Sequence, residues 1–166
     1  MVAPNVTPLE PALVWAALRQ VADPEIPVIS VVDLGIVRQV ACTEDDVTIT
    51  VTPTYAGCPA TAVIAHDIES CVKRLGVGKV RVVLRLSPAW TTDWLSDSGR
   101  AALREYGIAP PGECHSVRAH TLAFKPRCPR CGDLNSEQLS AFGATPCKAL
   151  YRCTRCREPF EYFKPI

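Results

Sequence analysis

The sequence predicts an α+β fold in two parts: a two-layer domain of a small three-stranded sheet packed with helices, and a small C-terminal all-β ribbon. Three observations support this prediction. The first part alternates in the order helix, strand, strand, helix, strand, helix, which suits helices packed on a sheet. The stretch IAPPGEC is rich in proline and glycine, as linkers are. The last part carries two Cys-x2-Cys pairs and few large aliphatic side chains. We therefore expect domains at residues 1–112 and 113–166.

Proline placement predicts the first helix and the loop after it. PLEPALVWAALRQV has proline near its start, and its apolar positions include one stripe at helical spacing: Leu9, Leu13, Ala17 and Val21. We expect the helix to end at Asp23, because a residue before proline is pushed out of helical geometry. Two prolines argue against a central strand over residues 23–27, so this segment is predicted to be an ordered loop.

Three strands and two further helices complete the first part. VRQVAC and DVTITVT are predicted strands joined by the turn TEDD, and the second alternates valine or isoleucine with threonine, as a half-buried strand does. KVRVVLRL is the third, with one apolar face: Val80, Val82, Leu84 and Leu86. The second helix is expected to begin at Pro59 and stop at Gly76. Its predicted apolar face is broad: Ala62, Ile64, Ala65, Ile68, Cys71, Val72 and Leu75. A third helix ends at Gly107, and Cys42 and Cys71 are predicted core residues.

Composition excludes several classes of function. The 166 residues carry a formal net charge of +1, so nucleic-acid binding has no support from whole-chain charge. No apolar run is long enough to span a bilayer, and the N-terminus lacks the pattern of a secretory signal. We therefore expect a cytoplasmic protein with reduced thiols, in which clustered cysteines are more often metal ligands than disulfides.

Four cysteines near the C-terminus predict a metal site. Cys128-x2-Cys131 and Cys153-x2-Cys156 are separated by 21 residues, close to the spacing of paired zinc knuckles. Two predicted strands follow the first pair: NSEQLSAFG between the pairs, and ALYRC, which ends at the first cysteine of the second pair. EPFEYF comes after the second pair, and this order is the layout of a zinc ribbon. Four thiolates leave no open position, so structural zinc is the favoured reading. Iron in a rubredoxin-like shell is the alternative, because tetrahedral sulfur sites accept either metal.

Cys147 and a set of basic residues accompany the two pairs. Cys147 is either a buried small residue or a ligand for a second metal, and we favour burial. The basic residues are these: Arg127, Arg130, Lys148, Arg152, Arg155 and Arg157. They are interpreted as a protein-docking face, or as charge balance for a dianionic sulfur site, rather than a nucleic-acid surface.

Cys58 is the candidate reactive residue of the first domain. It precedes Pro59 at a predicted helix start, where helix-end amides favour a thiolate that can bind metal or attack an electrophile. The alternative is a cysteine packed under the loop. Asp23 and Glu25 could help coordinate a metal with Cys58, or cap the backbone that follows them. His66 is interpreted as a surface or packed residue.

Other signals are weak or missing. Cys114, His115 and His120 form a faint metal pattern that we discount. The chain has no GxSxG, no glycine-rich phosphate loop and no HExxH motif.

Several stretches together resemble known families. WAALRQVADPEIPVISVVDLGIV, TPTYAGCPA and LSPAWTTDWLSDSGRAALREYGIAPP resemble the iron–sulfur cluster assembly-like domain family, whose members carry such a DPE loop and a cysteine before a helix. With CPRCG and PCKALYRCTRCREPFEYFKP, nearly the whole chain resembles the D family of accessory subunits of the phenylacetyl-CoA 1,2-epoxidase system. By that resemblance, Asp23, Pro24, Glu25 and Cys58 match the assembly motif, and the four paired cysteines match the ribbon ligands.

The resemblance implies a non-catalytic assembly or maturation factor. Cys58 would act as a transient ligand for iron or an iron–sulfur cluster, and the zinc ribbon would dock the client. The implied partners are the di-iron oxygenase of the epoxidase system or its iron–sulfur flavoprotein reductase, and a homodimer could share one cluster between two Cys58 thiols. The competing readings are an electron-transfer module with iron in the ribbon, a purely structural subunit of the complex, and a nucleic-acid binder.

Overall fold

The computed structural model describes residues 9–44, 46–112 and 125–166. Their contacts divide them into two compact units, the first ending at Trp90 and the second beginning at Thr91. The predicted domain boundary at residues 112 and 113 stays a prediction, since residue 113 lies outside the described part. Within those ranges, no helix is both long enough and apolar enough to cross a membrane.

The first helix, α1 (Pro11–Leu18), buries a different face from the predicted one. Val14, Leu18 and the following Val21 are buried, whereas Leu13 is 54% exposed. The predicted stripe is therefore wrong at Leu13, although Val21 is buried as predicted, and the extension of the helix to Asp23 is wrong. PALVWAAL contains no polar residue, so its sequence gives no contrast between faces from which the buried one could be chosen.

The sheet of the first unit has the order β1-β2-β3, with β1 (Val37–Cys42) antiparallel to β2 (Asp46–Val51) and β3 (Lys79–Leu84) parallel to it. The predicted turn is confirmed by the Thr43 N–H, which donates to the Asp46 carbonyl at 2.8 Å. Because β2 is the middle strand, Thr50 is buried together with the valines and isoleucine of the strand, and so is Thr52 just after its end. The prediction of a half-buried strand was therefore incomplete.

The edges of this sheet account for two corrections. β3 stops at Leu84, because β2 ends at Val51 and the Arg85 N–H donates the last ladder bond to the Val51 carbonyl at 2.9 Å. Leu84 and Leu86 are exposed rather than buried. Cys42 ends the edge strand β1 and is half-buried, so its assignment to the core is wrong; burial raises the pKa of its thiol.

The second helix, α2 (Thr61–Lys73), connects the parallel strands β2 and β3 and buries Ile64, Ile68, Cys71 and Val72. Its predicted start at Pro59 is wrong, because the Thr61 N–H donates to the Cys58 carbonyl and forms a separate turn first. Ala62 and Leu75 are exposed, so the apolar face is narrower than predicted. The prediction of a buried Cys71 is confirmed; its thiol donates to the Ala17 carbonyl at 3.4 Å.

The second unit begins with a helix and ends with the ribbon. Its helix α3 (Asp97–Tyr106) is capped by Ser96, whose hydroxyl accepts from the Gly99 N–H, and ends at Gly107 as predicted. The four-stranded sheet has the order β4-β7-β6-β5. Its strands are β4 (Ile108–Ala109), β5 (Ser136–Ser140), β6 (Lys148–Cys153) and β7 (Pro159–Phe163). Ile108–Ala109 belonged to the predicted linker, and they instead pair in parallel with β7.

Candidate metal centre and the Cys58 pocket

The sulfur atoms of four cysteines, two from each Cys-x2-Cys turn of the ribbon, lie close together. The Sγ atoms of Cys128, Cys131, Cys153 and Cys156 all lie within 4.8 Å of one another. Cys128 Sγ is 3.8 Å from Cys156 Sγ, and Cys131 Sγ is 3.5 Å from Cys153 Sγ. Around a tetrahedral metal with bonds of about 2.3 Å, sulfur atoms stand about 3.8 Å apart. The four thiols therefore fit one tetrahedral ion.

Backbone hydrogen bonds shape the first knuckle, residues 128–133. The Cys128 N–H donates to the Asp133 carbonyl at 2.9 Å, and the Gly132 N–H donates back to the Cys128 carbonyl at 3.0 Å. Gly132 has a φ of +74°, a conformation that glycine adopts without steric cost. This closed turn holds Cys128 and Cys131 on the same side.

The second knuckle, residues 153–158, repeats the same bonds. The Cys153 N–H donates to the Glu158 carbonyl, and the Arg157 N–H donates to the Cys153 carbonyl, both at 3.0 Å. The Cys156 N–H points at Cys153 Sγ from 3.5 Å and is the main reason that the pKa of Cys153 falls to about 7. Cys153 is thus favoured as the thiolate over Cys156: despite a backbone hydrogen bond from Glu158, burial and hydrogen bonds with the other thiols raise the pKa of Cys156 to about 12.

The cysteines are part of the small hydrophobic core of the second unit. Cys128 and Cys153 are buried in one cluster with Ala109, Phe160 and Tyr162. Cys156 is half-buried and Cys131 is exposed. A metal bound by these four cysteines would therefore lie at the hydrophobic core of the second unit, with Cys131 as its solvent-exposed ligand.

Cys147 lies outside the group of four. It is buried, with its Sγ 3.0 Å from Thr145 Oγ1. Its predicted burial is confirmed.

The predicted basic face is largely neutralised. Lys148 is buried rather than on a face, and its Nζ lies 2.7 Å from Glu161 Oε2. Three arginines have carboxylate partners as well: Arg130 with Glu158, Arg152 with Glu137, and Arg155 with Asp133. This pairing removes most of the positive field that a nucleic-acid surface would need.

A tight turn positions Cys58 in the first unit. The Cys58 N–H donates to the Tyr55 carbonyl at 3.2 Å, and Gly57, two residues after Tyr55, has a φ of +92°. A positive φ at that position of a turn is the reason for glycine there. The turn leaves Cys58 half-buried, three residues before α2 rather than directly at its first turn.

Cys58 and Asp23 line the same small pocket of about 20 Å³, although 34 residues separate them in the sequence. The Asp23 Oδ1 accepts hydrogen bonds from the Glu25 N–H at 2.7 Å and the Ile26 N–H at 2.9 Å. Asp23 therefore caps its own loop, one of the two roles that the sequence left open. Glu25 and Pro24 are not among the pocket-lining residues.

Three threonines that sequence reasoning missed also line the pocket: Thr52, Thr54 and Thr61. Thr52 was assigned to the second predicted strand, whereas Thr54 and Thr61 flank Cys58 in TPTYAGCPAT, a stretch in which only the cysteine was singled out as a candidate site residue. His66 is exposed on α2 and is not part of the lining. Cys114, His115 and His120 lie outside the described residues.

The sequence matches two protein families in succession. Residues 11–84 match the iron–sulfur cluster assembly protein family, and residues 113–164 match the PaaD zinc β-ribbon domain. The Fe-S protein maturation auxiliary factor of Porphyromonas gingivalis (strain ATCC BAA-308 / W83) is 40% identical over 88 residues, which cover 52% of this chain and 83% of that protein.

A solved structure and a full-length relative extend these matches. A domain of unknown function from Bacillus anthracis has a TM-score of 0.52 at 29% identity, covering 55% of this chain and 89% of that one. A protein of Escherichia coli (strain K12), provisionally named as the D component of 1,2-phenylacetyl-CoA epoxidase, is 50% identical over 98% of this chain and 97% of that protein. The chain therefore belongs to the family of this epoxidase component, in which an iron–sulfur cluster assembly domain is followed by a PaaD zinc β-ribbon.

Proposed function

We propose that this protein is a non-catalytic maturation factor for the multicomponent phenylacetyl-CoA 1,2-epoxidase of aerobic phenylacetate degradation. It helps to insert iron or an iron–sulfur cluster into a client protein of that system. The observation that carries the proposal is Cys58, a half-buried thiol that a glycine turn holds beside the Asp23 loop. The names of the relatives, an epoxidase component and an Fe-S protein maturation auxiliary factor, support the same role.

The chemistry of Cys58 suits a carrier rather than a storage site. The pocket it lines has room for about one water molecule, so a cluster would rest at its mouth and not inside. One thiolate per chain can be displaced by the client's own ligands, whereas four converging thiolates hold their ion firmly. A homodimer in which two Cys58 thiols share one cluster would complete the donor site.

The ribbon has a different task in this proposal. The ribbon binds one structural zinc ion through its four paired cysteines, Cys128, Cys131, Cys153 and Cys156. Four metal–sulfur bonds then connect the two knuckles to each other and to the small core around Phe160 and Tyr162. Four protein ligands leave no open position for a reacting molecule. The second unit then serves as the dock for the client, either the di-iron oxygenase or the iron–sulfur flavoprotein reductase.

Anaerobic reconstitution tests the carrier role. The full chain is incubated with ferrous iron and sulfide, and iron and labile sulfide are counted beyond the ribbon metal. We expect binding in the natural chain, its loss in Cys58→Ser, and no change in Cys42→Ser. Cys42 is also a half-buried cysteine, but it lies opposite Val47, at the other end of β2 from the Cys58 turn.

One other result would point to a competing function, and another would contradict the role of Cys58. Iron that replaces zinc in the ribbon and persists in Cys58→Ser would favour an electron-transfer module. Equal iron and sulfide in all three proteins would remove Cys58 from the carrier role.

A further inference from the structure

A surface depression in the second unit is lined by arginines and prolines, and we call it the arginine groove. It lies beside α3 and the first knuckle and has a volume of about 320 Å³. It is formed by the following residues: Arg100, Arg104, Pro110, Pro111, Gly112, Arg127, Cys128, Pro129 and Gly132. A second depression of about 270 Å³ shares Arg104, Cys128 and Pro129 with it. Among the described residues, three arginines and no acidic residue line the arginine groove itself.

Arg100 is held in place without losing its charge. One guanidinium nitrogen donates to the Pro111 carbonyl at 2.8 Å, and another donates to the Thr92 carbonyl at 2.7 Å. Carbonyl oxygens orient a guanidinium but carry no net charge to neutralise it. Arg100 therefore presents a positive charge in a fixed position. Little side-chain entropy is lost when an anion binds to it.

Arg104 and Arg127 add two further positive charges. Arg104 is exposed on the last turn of α3, and the Arg127 guanidinium donates to the Gly132 carbonyl at 2.6 Å. Arg127 and Arg155 both act on the carboxylate of Asp133, so two cations share one negative charge there. Within the described ranges, none of Arg100, Arg104 and Arg127 belongs to an ion pair, in contrast to Arg130 and Arg152.

The neighbouring metal site does not account for all of this charge. A divalent ion with four thiolates has a formal charge of −2, which three arginines exceed. Cys128, the thiol in the described lining, is only 1% exposed. Asp133 lies beside Arg127, and Glu105 and Glu158 line the second depression, but none of these carboxylates lines the arginine groove. The groove therefore combines three arginines with rigid proline walls.

We propose that the arginine groove binds an acidic segment of a partner protein. Guanidinium groups match carboxylates in a planar, two-bond geometry, and the volume admits two or three acidic side chains. Pro110, Pro111 and Pro129 offer fixed apolar walls against which an extended segment can lie. That the partner is the client protein rests on the proposed function. That the arginine groove binds carboxylates does not depend on it.

A binding assay with a defined probe tests this inference. The probe is a short fluorescein-labelled peptide of alternating glutamate and alanine, titrated with the full metal-loaded chain at low salt. We expect the affinity to fall about ten-fold or more in Arg104→Glu and to weaken in Arg127→Gln. It should stay within about two-fold of the natural chain in Arg81→Glu, a charge reversal at an exposed β3 position of the first unit. Rising salt should weaken binding as well.

Three results would overturn the proposal: equal binding to the matched glutamine–alanine peptide, equal binding by Arg104→Glu, and inorganic pyrophosphate binding without peptide binding. Arg104 is exposed, and circular dichroism of each variant checks that the fold is kept. Cys58→Ser should bind the peptide normally. Because peptide binding is measured separately, loss or persistence of the carrier function in that variant does not change the result for the groove.

Discussion

Gly132 and Arg157 occupy the same place in the two knuckles. Each is the fourth residue after the first cysteine of its knuckle, and each donates its N–H to the carbonyl of that cysteine at 3.0 Å. Their φ angles are +74° and +67°. A non-glycine residue in this left-handed conformation costs about 1–2 kcal/mol. The first knuckle avoids that cost by using glycine, and the second bears it.

The first prediction follows from this pair. Arg157→Gly should raise the free energy of unfolding by about 0.5–1 kcal/mol, since the flexibility of glycine in the unfolded chain offsets part of the gain. Gly132→Ala should lower it by about 1 kcal/mol through backbone conformation alone, because an added Cβ there meets no atom within 4 Å. Denaturant midpoints of the metal-loaded chain measure both. A loss of stability in Arg157→Gly would contradict the equivalence of the two turns.

The second prediction concerns metal removal. Structural zinc contributes about 10–16 kcal/mol to the folding of small zinc domains, so chelation should unfold the second unit while the first unit keeps its amide protection. Hydrogen exchange resolves the two. Cys153→Ser should lose the metal, whereas Cys147→Ser should retain it, because Cys147 is buried in the same unit but lies outside the four-cysteine group. Equal metal content in these two variants would refute the ligand assignment.

The third prediction compares two ion pairs in the ribbon sheet. Lys148 is 5% exposed and faces Glu161, while Arg152 and Glu137 are each 44% exposed. Lys148→Met should destabilise the chain by about 2–3 kcal/mol, because it leaves Glu161 partly buried without its partner. Arg152→Met, the matched control, should cost about 0.2–1 kcal/mol. Similar midpoint shifts for the two would show that burial does not decide the strength of these pairs.

Cysteine spacing made the ribbon predictable from sequence. Two Cys-x2-Cys pairs require two tight turns, and the strands between and after them follow from their sequence pattern. β4 could not be predicted in this way. Ile108–Ala109 is too short to show periodicity, and its partner β7 begins 50 residues later in the chain. The face of α1 was equally hidden, because PALVWAAL is apolar all round.

The functional sites were predictable only as separate residues. Cys58 and Asp23 were each identified by a neighbouring proline, but the shared pocket depends on how the sheet brings the two segments together. The arginine groove was not predictable as a cluster: Arg127 was noted among the basic residues of the ribbon, but Arg100 and Arg104 belong to the third helix, on the other side of the predicted linker. Side-chain clusters built from distant segments require tertiary structure.

The fourth prediction tests the central claim, that Cys58 serves the maturation of the epoxidase. The epoxidase subunits are produced with the natural chain, with Cys58→Ser or with Cys42→Ser, and the iron content and epoxidase activity of the purified complex are measured. We expect Cys58→Ser to lower both to the level found without this protein. Cys42→Ser should support full values, and the zinc content of all three chains should be equal. Full iron content and activity with Cys58→Ser would contradict the account.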